Sequence, residues 1–423
     1  MSRGVCCIAM SGAPPSRARG AERSSTSILS AAGERKRSSC DVHRLTATPR
    51  PSLRASGWYA GGMSLLPLVL SLLVAGGLLV FLLGEFLART PHGRIKRRFA
   101  LVFALQKLRG GKRAQGVIDA SEMADPDSIR ATRETFLREV APLSKLEPFD
   151  GGIEDRHLDG PGGPLPVRIY TPRGASGLPL LVYLHGGGFV VGHPDYTETV
   201  TRGIAAQAPA VVISVDYRMA PEHPFPAAVE DVDFVVEWAS ANAESLGARS
   251  GPIAVGGDSA GGNLAAVAAL HDASAEAGRI GLQLLVYPCV DVTREDRPSQ
   301  VAFAKGYGLS RKDCVDCFAA YAPEGVREGA PSLSPLQAPS FEGLPRAVVF
   351  TAGFDVLRDE GLEYADTLEK AGVEVRRVHQ PEMPHGYITM TKIVREARDD
   401  IAIMASELAS LGAAVEGSPA RLP

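Results

Sequence analysis

Gly257-Asp258-Ser259-Ala260-Gly261 carries the strongest chemical signal in the chain. A serine between small residues, reached from the apolar run PIAVG and followed by the helix-like NLAAVAALHDA, has the spacing of a nucleophile on a sharp strand-to-helix turn. Such a turn crowds its own backbone, so its neighbours must be small; Gly256, Gly257, Gly261 and Gly262 meet that need. The helix start also aims a positive dipole at charge developing on an attacked carbonyl. Without the strand and helix, the same five residues would read as an ordinary glycine-rich turn.

A second element is His185-Gly186-Gly187-Gly188-Phe189, directly after the apolar run PLLVYL. Three successive glycines let backbone N–H groups turn toward a ligand with no Cβ in the way. The expected donors to an oxyanion are the amides of Gly187, Gly188 and Ala260, each worth about 3–4 kcal/mol of transition-state stabilisation. A phosphate-binding loop is the competing reading; neither GK[ST] nor GxGxxG spacing supports it. His185, Gly186 and Asp258 are expected to support the site.

Acyl transfer needs a base and an acid to orient it, each just past a later strand. Asp355 follows RAVVFT most closely, whereas Asp359 and Glu360 fall in the next helix's first turn. His385, between Pro384 and Gly386, follows the run VEVRRVH. His379 lies within that run and His193 precedes the serine, so both are weaker candidates. The expected chemistry is a two-step acyl transfer. His385 takes the Ser259 proton, Asp355 holds the imidazole, and water later releases the acyl group. This chemistry calls for no metal and no organic cofactor.

These residues must be held by an alternating scaffold. Apolar, β-rich runs occur at 166–171, 179–184, 210–216, 252–256, 282–287, 346–351 and 373–379. Helical spacing occurs at about 127–145, 195–208, 225–247, 260–278, 358–372 and 391–412. Short apolar strands separated by helices predict an α/β fold with a mostly parallel central sheet and helices on both faces. Residues 290–345 contain helix-like pieces and no strand, so they read as an insertion. Cys314 and Cys317 fall there at i and i+3 of an amphipathic stretch, which is the spacing of one helix face rather than of a redox or zinc site. The six cysteines form no disulfide framework.

HGGGF (185–189), DYRMAPEHPFPAA (216–228), GDSAGG (257–262), FDVLRDE (354–360) and HGY (385–387) occur together and in this order. In this the chain resembles the hormone-sensitive-lipase-like esterases, the fold-3 group of α/β hydrolases, over roughly residues 150–400. The resemblance implies an α/β-hydrolase fold with Ser259 as nucleophile, Asp355 as acid and His385 as base. It implies a helical cap built from the region before about 150 and from the insertion at 290–345. It also implies a small lipophilic ester, with a short or medium acyl chain, as substrate. The proline-rich block reads as a brace beside the site, with Glu222 in a supporting network. Val356 departs from the family, which often has Pro there. An amidase, deacetylase or peptidase with the same triad is the alternative. The resemblance extends to the plant gibberellin receptors, which have lost the catalytic His, but His385 is retained here. A membrane scaffold with a vestigial site is the remaining alternative, and the complete set of motifs argues against it.

The chain has 423 residues and a net charge of −3, which points to no nucleic-acid partner. That balance hides an asymmetry: residues 1–113 hold 19 Lys/Arg against 4 Asp/Glu, and the remainder 26 against 44. Residues 1–62 read as a disordered leader, as an Arg- and Ser-rich transit peptide, or as sequence upstream of a true start at Met63, the last being preferred. From Ser64 to Gly84 the chain carries no charge. Twenty-one helical residues span about 31 Å, the thickness of a bilayer's hydrocarbon core. The segment 63–88 is therefore expected to be a single transmembrane anchor, rather than a core helix or a cleavable signal peptide. Arg89, Arg94, Lys96, Arg97, Arg98, Lys107 and Arg109 follow it. The positive-inside rule then leaves the catalytic part in the cytoplasm, with 91–113 lying along the headgroups.

Overall fold

Eight strands form one mixed sheet in the order β10-β9-β8-β7-β5-β6-β4-β3 in the computed structural model of this protein. The structure describes residues 65–108, 125–294, 296–322, 326 and 330–416, all within one unit, Leu65–Pro423. The readings for residues 1–62, with Cys6, Cys7, Cys40 and the start at Met63, lie outside the described residues, as do Arg109 and the stretch after it to residue 124.

In chain order the elements are α1 (Leu65–Leu87), β1 (Arg89–Thr90), β2 (Gly93–Arg94), α2 (Arg97–Leu108), α3 (Pro126–Val140), β3 (Gly151–Gly160) and β4 (Gly163–Pro172). Next come β5 (Leu180–Leu184), α4 (Pro194–Gln207), β6 (Val211–Val215), α5 (Ala227–Ala241), β7 (Ile253–Asp258), α6 (Ala260–Ser274) and β8 (Ile280–Val286). The last are α7 (Pro298–Ala302), α8 (Arg311–Tyr321), β9 (Arg346–Phe354), α9 (Arg358–Lys370), β10 (Val375–Pro384) and α10 (Arg395–Glu416). This is an α/β-hydrolase fold.

The central strands run parallel and every residue of β5, β6 and β7 is buried, because helices cover both faces. Two apolar clusters result. One joins Val182, Leu184, Ile213 and Val255 to α5 and α6; the other joins Leu181, Tyr183, Leu284 and Phe350 to α4 and α10. Each large apolar side chain so removed from water contributes about 1.5–3 kcal/mol.

One strand is not foreseen by the sequence pattern. β3 pairs antiparallel with β4, which pairs antiparallel with β6. β3 reads GGIEDRHLDG and buries only Leu158, so it lacks the apolar alternation that marks a strand in a sequence. It is an edge strand, where charge is favoured because it blocks pairing with other chains. Asp155 pairs there with Arg168 of β4 at 2.7 Å.

The 290–345 segment holds α7 and α8 and, among its described residues, no strand. A capping box starts α8, Ser310 accepting from the Asp313 amide while Asp313 accepts from the Ser310 amide. Cys314 and Cys317 lie on this helix as free thiols, and burial pushes both well above an ordinary thiol pKa. Among the described residues, Val69–Leu87 is the one helix long and apolar enough to cross a membrane, with mean hydropathy 2.3 and nearly all of its surface exposed. The described part of the basic stretch after it, up to Leu108, packs in part on the protein. It splits into the β1–β2 hairpin and α2, and Ala88, Ile95, Phe99 and Ala100 are buried against the hydrolase body. Arg94 and Arg97 pair with Glu85, and Lys96 with Glu396, so these cations are tied to protein carboxylates.

Candidate active site

Ser259 ends β7 and opens α6 with φ 57° and ψ −118°, a conformation costly for any residue with a Cβ. The strain is held by local bonds. The Ser259 amide donates to Val286 O at 2.9 Å, and Ser259 O accepts from the amides of Asn263 at 3.0 Å and Cys289 at 3.3 Å. The turn leaves no room for side chains beside it. A Cβ on Gly261 would come 2.0 Å from Leu184 O, and one on Gly257 would come 2.4 Å from the Gly261 carbonyl.

Ser259 is the N-cap of α6, yet its side chain caps no amide. Its Oγ lies 2.9 Å from His385 Nε2 instead. His385 Nδ1 lies 2.7 Å from Asp355 Oδ2, and Asp355 Oδ1 accepts from the Leu357 amide at 2.9 Å. Asp355 is 1% exposed, so its carboxylate faces protein donors rather than water. Three side chains from the C-terminal ends of β7, β9 and β10 thus form one hydrogen-bonded line. Tyr287 packs against the His385 ring at 4.5 Å. His379 and His193 stand apart from this line: the first bonds Thr351 Oγ1 at 2.9 Å, the second caps α4 by accepting from the Asp195 amide.

The triple-glycine segment follows β5, the neighbour of β7. Gly187 and Gly188 have φ of 128° and 63°, which only glycine adopts readily. A Cβ on Gly187 would come 1.9 Å from Val191 O. Beside it, Ala260 is the first residue of α6, a position whose amide has no intrahelical acceptor. Asp258 Oδ1 accepts from the Gly186 amide at 3.1 Å and from Tyr183 Oη at 3.2 Å, which ties the glycine loop to the serine turn. Burial pushes the Asp258 carboxyl up to about 6. His185 is fully buried, stacked on Tyr217 at 4.4 Å, with Nδ1 2.9 Å from Gly186 O. A carbonyl only accepts, so Nδ1 carries the proton. Burial holds this imidazole down to about 4, hence neutral.

Glu222 does not reach the serine. It makes a two-pronged ion pair with Arg133 of α3, at 2.7 and 2.8 Å. Arg133 also donates to Val190 O and Ala220 O, so it clasps the segment after the glycines. Sequence reasoning singles out Glu222 and misses Arg133, whose partner lies 89 positions away. It also misses Asn263, which donates to Cys289 O and Leu333 O, and Glu360, which accepts from the Val290 amide at 2.9 Å. No local signal marks either as more than a helix residue. Among the described residues, no group of three His, Cys, Asp or Glu side chains is arranged to hold a metal.

A family model described as an alpha/beta hydrolase fold matches residues 181–389. The carboxylic ester hydrolase LipN of Mycobacterium tuberculosis is 42% identical over 278 residues, 64% of this chain and 73% of its own length. The carboxylesterase NlhH of the same organism is 39% identical over 279 residues, 64% of this chain and 86% of its own. An ester hydrolase from the Lake Arreo metagenome, solved with a bipyridine phosphonate derivative, superposes with a TM-score of 0.69 at 35% identity, covering 77% of this chain and all of that one. The chain belongs to the α/β-hydrolase family, in its hormone-sensitive-lipase-like branch. Within that family it is an esterase, a hydrolase of carboxylic esters.

Proposed function

We propose that this esterase works through an acyl-enzyme on Ser259, with His385 as base and Asp355 as the acid that orients it. The observation that carries the reading is the unbroken line from Ser259 Oγ through His385 to Asp355, at 2.9 and 2.7 Å. As Oγ attacks the ester carbonyl, its proton passes to Nε2. Asp355 keeps Nδ1 protonated and balances the imidazolium. The carbonyl oxygen becomes an oxyanion beside the amides of Gly187, Gly188 and Ala260. The alkoxide leaves with the proton from Nε2, and water repeats the sequence on the acyl-enzyme. His185, Gly186 and Asp258 hold the oxyanion loop against the serine turn; Glu222 does so from further away, through Arg133.

The substrate is a small lipophilic ester with a short or medium acyl chain. α3 and the 290–345 segment form the cap over the site. α1 anchors the chain in a membrane, and the cations after it keep the catalytic part on the cytoplasmic side. Ser259→Ala is the direct test, assayed with a p-nitrophenyl ester and checked for folding by circular dichroism. A folded variant should lose about 10³-fold or more. Undiminished turnover would reject the assignment.

A further inference from the structure

We propose that α2 is an interfacial helix lying between the bilayer and the cap, and that the enzyme therefore draws its ester laterally from the lipid phase. This rests on the reading of α1 as a membrane anchor, and names the source of the substrate. α2 is pinned to the foot of α1. The two helices cross at Gly84, where a Cβ would come 2.5 Å from Arg97 Cγ and 3.2 Å from Leu101 Cδ1. The Arg97 guanidinium lies 4.0 Å over the Phe81 ring.

The two sides of α2 then differ. Phe99 and Ala100 are buried with the hydrolase core, and Phe103 is the side chain nearest Gly308 of the 290–345 segment. On the other side, Leu105 and Leu108 continue the stripe of Arg97 and Leu101 at helical spacing, and they are 53% and 83% exposed. Leu101 meets the foot of α1 at Gly84, so the stripe carries apolar surface on from the spanning helix past the Arg97–Glu85 pair. Its basic neighbours suit one occupant. α2 carries no acidic residue; Arg97 is held by Glu85, and exposed Lys107, with exposed Arg89 ahead of the helix, offers the charge that matches anionic lipid headgroups.

The same foot reaches the site through a short aromatic chain. His92 of the β1–β2 turn meets Phe303 edge-on at 5.4 Å and Tyr307 at 6.4 Å. Both of these contact Phe354 at 5.4 Å, and Phe354 directly precedes Asp355. Two ring contacts, His92 to Phe303 and Phe303 to Phe354, thus join the foot of α1 to the residue before the acid. An ester dissolved in the bilayer reaches the cap along α2 without crossing water.

The test uses the full chain in vesicles of phosphatidylcholine with phosphatidylglycerol. It compares p-nitrophenyl octanoate, a medium-chain ester that partitions into the bilayer, with water-soluble p-nitrophenyl acetate. Leu105→Asp/Leu108→Asp should lower turnover of the bilayer ester about tenfold or more, as expected for withdrawing two leucines from lipid. Acetate turnover and vesicle flotation should not change. Equal losses on both esters, or no loss on either, would overturn the proposal. A change from dimer to monomer on cross-linking would also overturn it, making the stripe a contact between copies. Wild type that fails to float removes the anchor reading itself. Wild type offers a second readout: bilayer-ester turnover should rise with the phosphatidylglycerol fraction and fall with salt, while acetate turnover stays level. A rate indifferent to both would also sink it.

Discussion

The floor of the site and the cover above it are built on different principles. The floor is the C-terminal edge of the sheet. Each side chain of the candidate triad sits within one residue of a strand end, and backbone bonds fix the turn that carries it, as with the three at Ser259. The proposed cover is α3 with α7 and α8, and the foot of α1 lies against it. It meets the floor through single side chains: Arg133 on Val190 O, Cys317 Sγ beside Gly188, and Phe303 on Phe354. The lesson is that chemistry resides in elements whose geometry the backbone dictates. Adaptation to a substrate resides where side chains can change one at a time.

The largest expected effect lies wholly in the floor. Asp355→Asn should keep the fold and the Leu357 amide bond but present the wrong partner to Nδ1. Turnover of a p-nitrophenyl ester should fall about 10⁴-fold. A loss below tenfold would mean that His385 is oriented by something other than this carboxylate.

The next effect crosses from cover to floor. A Cβ on Gly188 would come 2.5 Å from Cys317 Sγ, so α8 fixes how the oxyanion loop sits. Gly188→Ala should cost about 10²-fold in kcat, the scale of one misplaced oxyanion donor. Part of that cost is the φ of 63° and part is the sulfur. Gly188→Ala/Cys317→Ala should therefore recover several-fold, while Cys317→Ala alone changes little. Strict additivity of the two substitutions would show that α8 does not press on the loop, and the comparison would blur.

A smaller effect should follow from the Arg133–Glu222 clasp. Arg133 is partly buried and makes hydrogen bonds to two carbonyls and a carboxylate. Arg133→Met should destabilise by about 1–3 kcal/mol, the cost of leaving such acceptors without a donor. KM should rise more than kcat falls, because the loop is loosened and not removed. Glu222→Gln should do less, since Arg133 keeps its carbonyl partners. Thermal unfolding and steady-state kinetics on the two variants would sharpen the ranking; the reverse order would assign Glu222 a role beyond holding Arg133.

The two regions are also unequally legible in the sequence. The line of Ser259, Asp355 and His385 is readable because each follows an apolar run, in the chain order an α/β-hydrolase sheet imposes. The parallel core strands are readable for the same reason, being short and continuously apolar. β3 is not, because an edge strand needs no apolar face: Leu158 alone is buried. α2 reads as a basic surface stretch, yet Phe99 and Ala100 are core residues; its charges mask a second, apolar face. Arg133 and Asn263 are invisible for a different reason. Their partners lie tens of residues away, and a helix position says nothing about what a long side chain will meet.

Glu360 tests the border between the regions with the least effect on turnover. It lies on α9, one turn past Asp355, and is fully buried. Its Oε1 accepts from the Val290 amide at 2.9 Å, next to Cys289, whose amide supports Ser259 O. Arg297 Nη1 stands 4.0 Å from the other oxygen, but that guanidinium is already engaged by Asp291 at 2.7 Å and Glu363 at 2.9 Å. Burial wins, and pushes the Glu360 carboxyl from an ordinary 4.5 up to about 8. The folded state therefore holds this proton through a range in which the unfolded chain has released it. With more protons bound to the folded form, stability falls as pH rises from about 4.5 to about 8 and levels off above. Glu360→Gln keeps the shape of the neutral acid and lacks that decline. Buried Asp258 and Asp400 titrate alike in both proteins, so their contribution cancels in the difference. The variant should match wild type near pH 5, exceed it by up to a few kcal/mol near pH 9, and keep its esterase activity within about twofold at neutral pH. Denaturant unfolding at several pH values measures this. Parallel curves for the two proteins across that range would mean that Glu360 is ionised when folded, and that Arg297 supports the serine turn through a true ion pair.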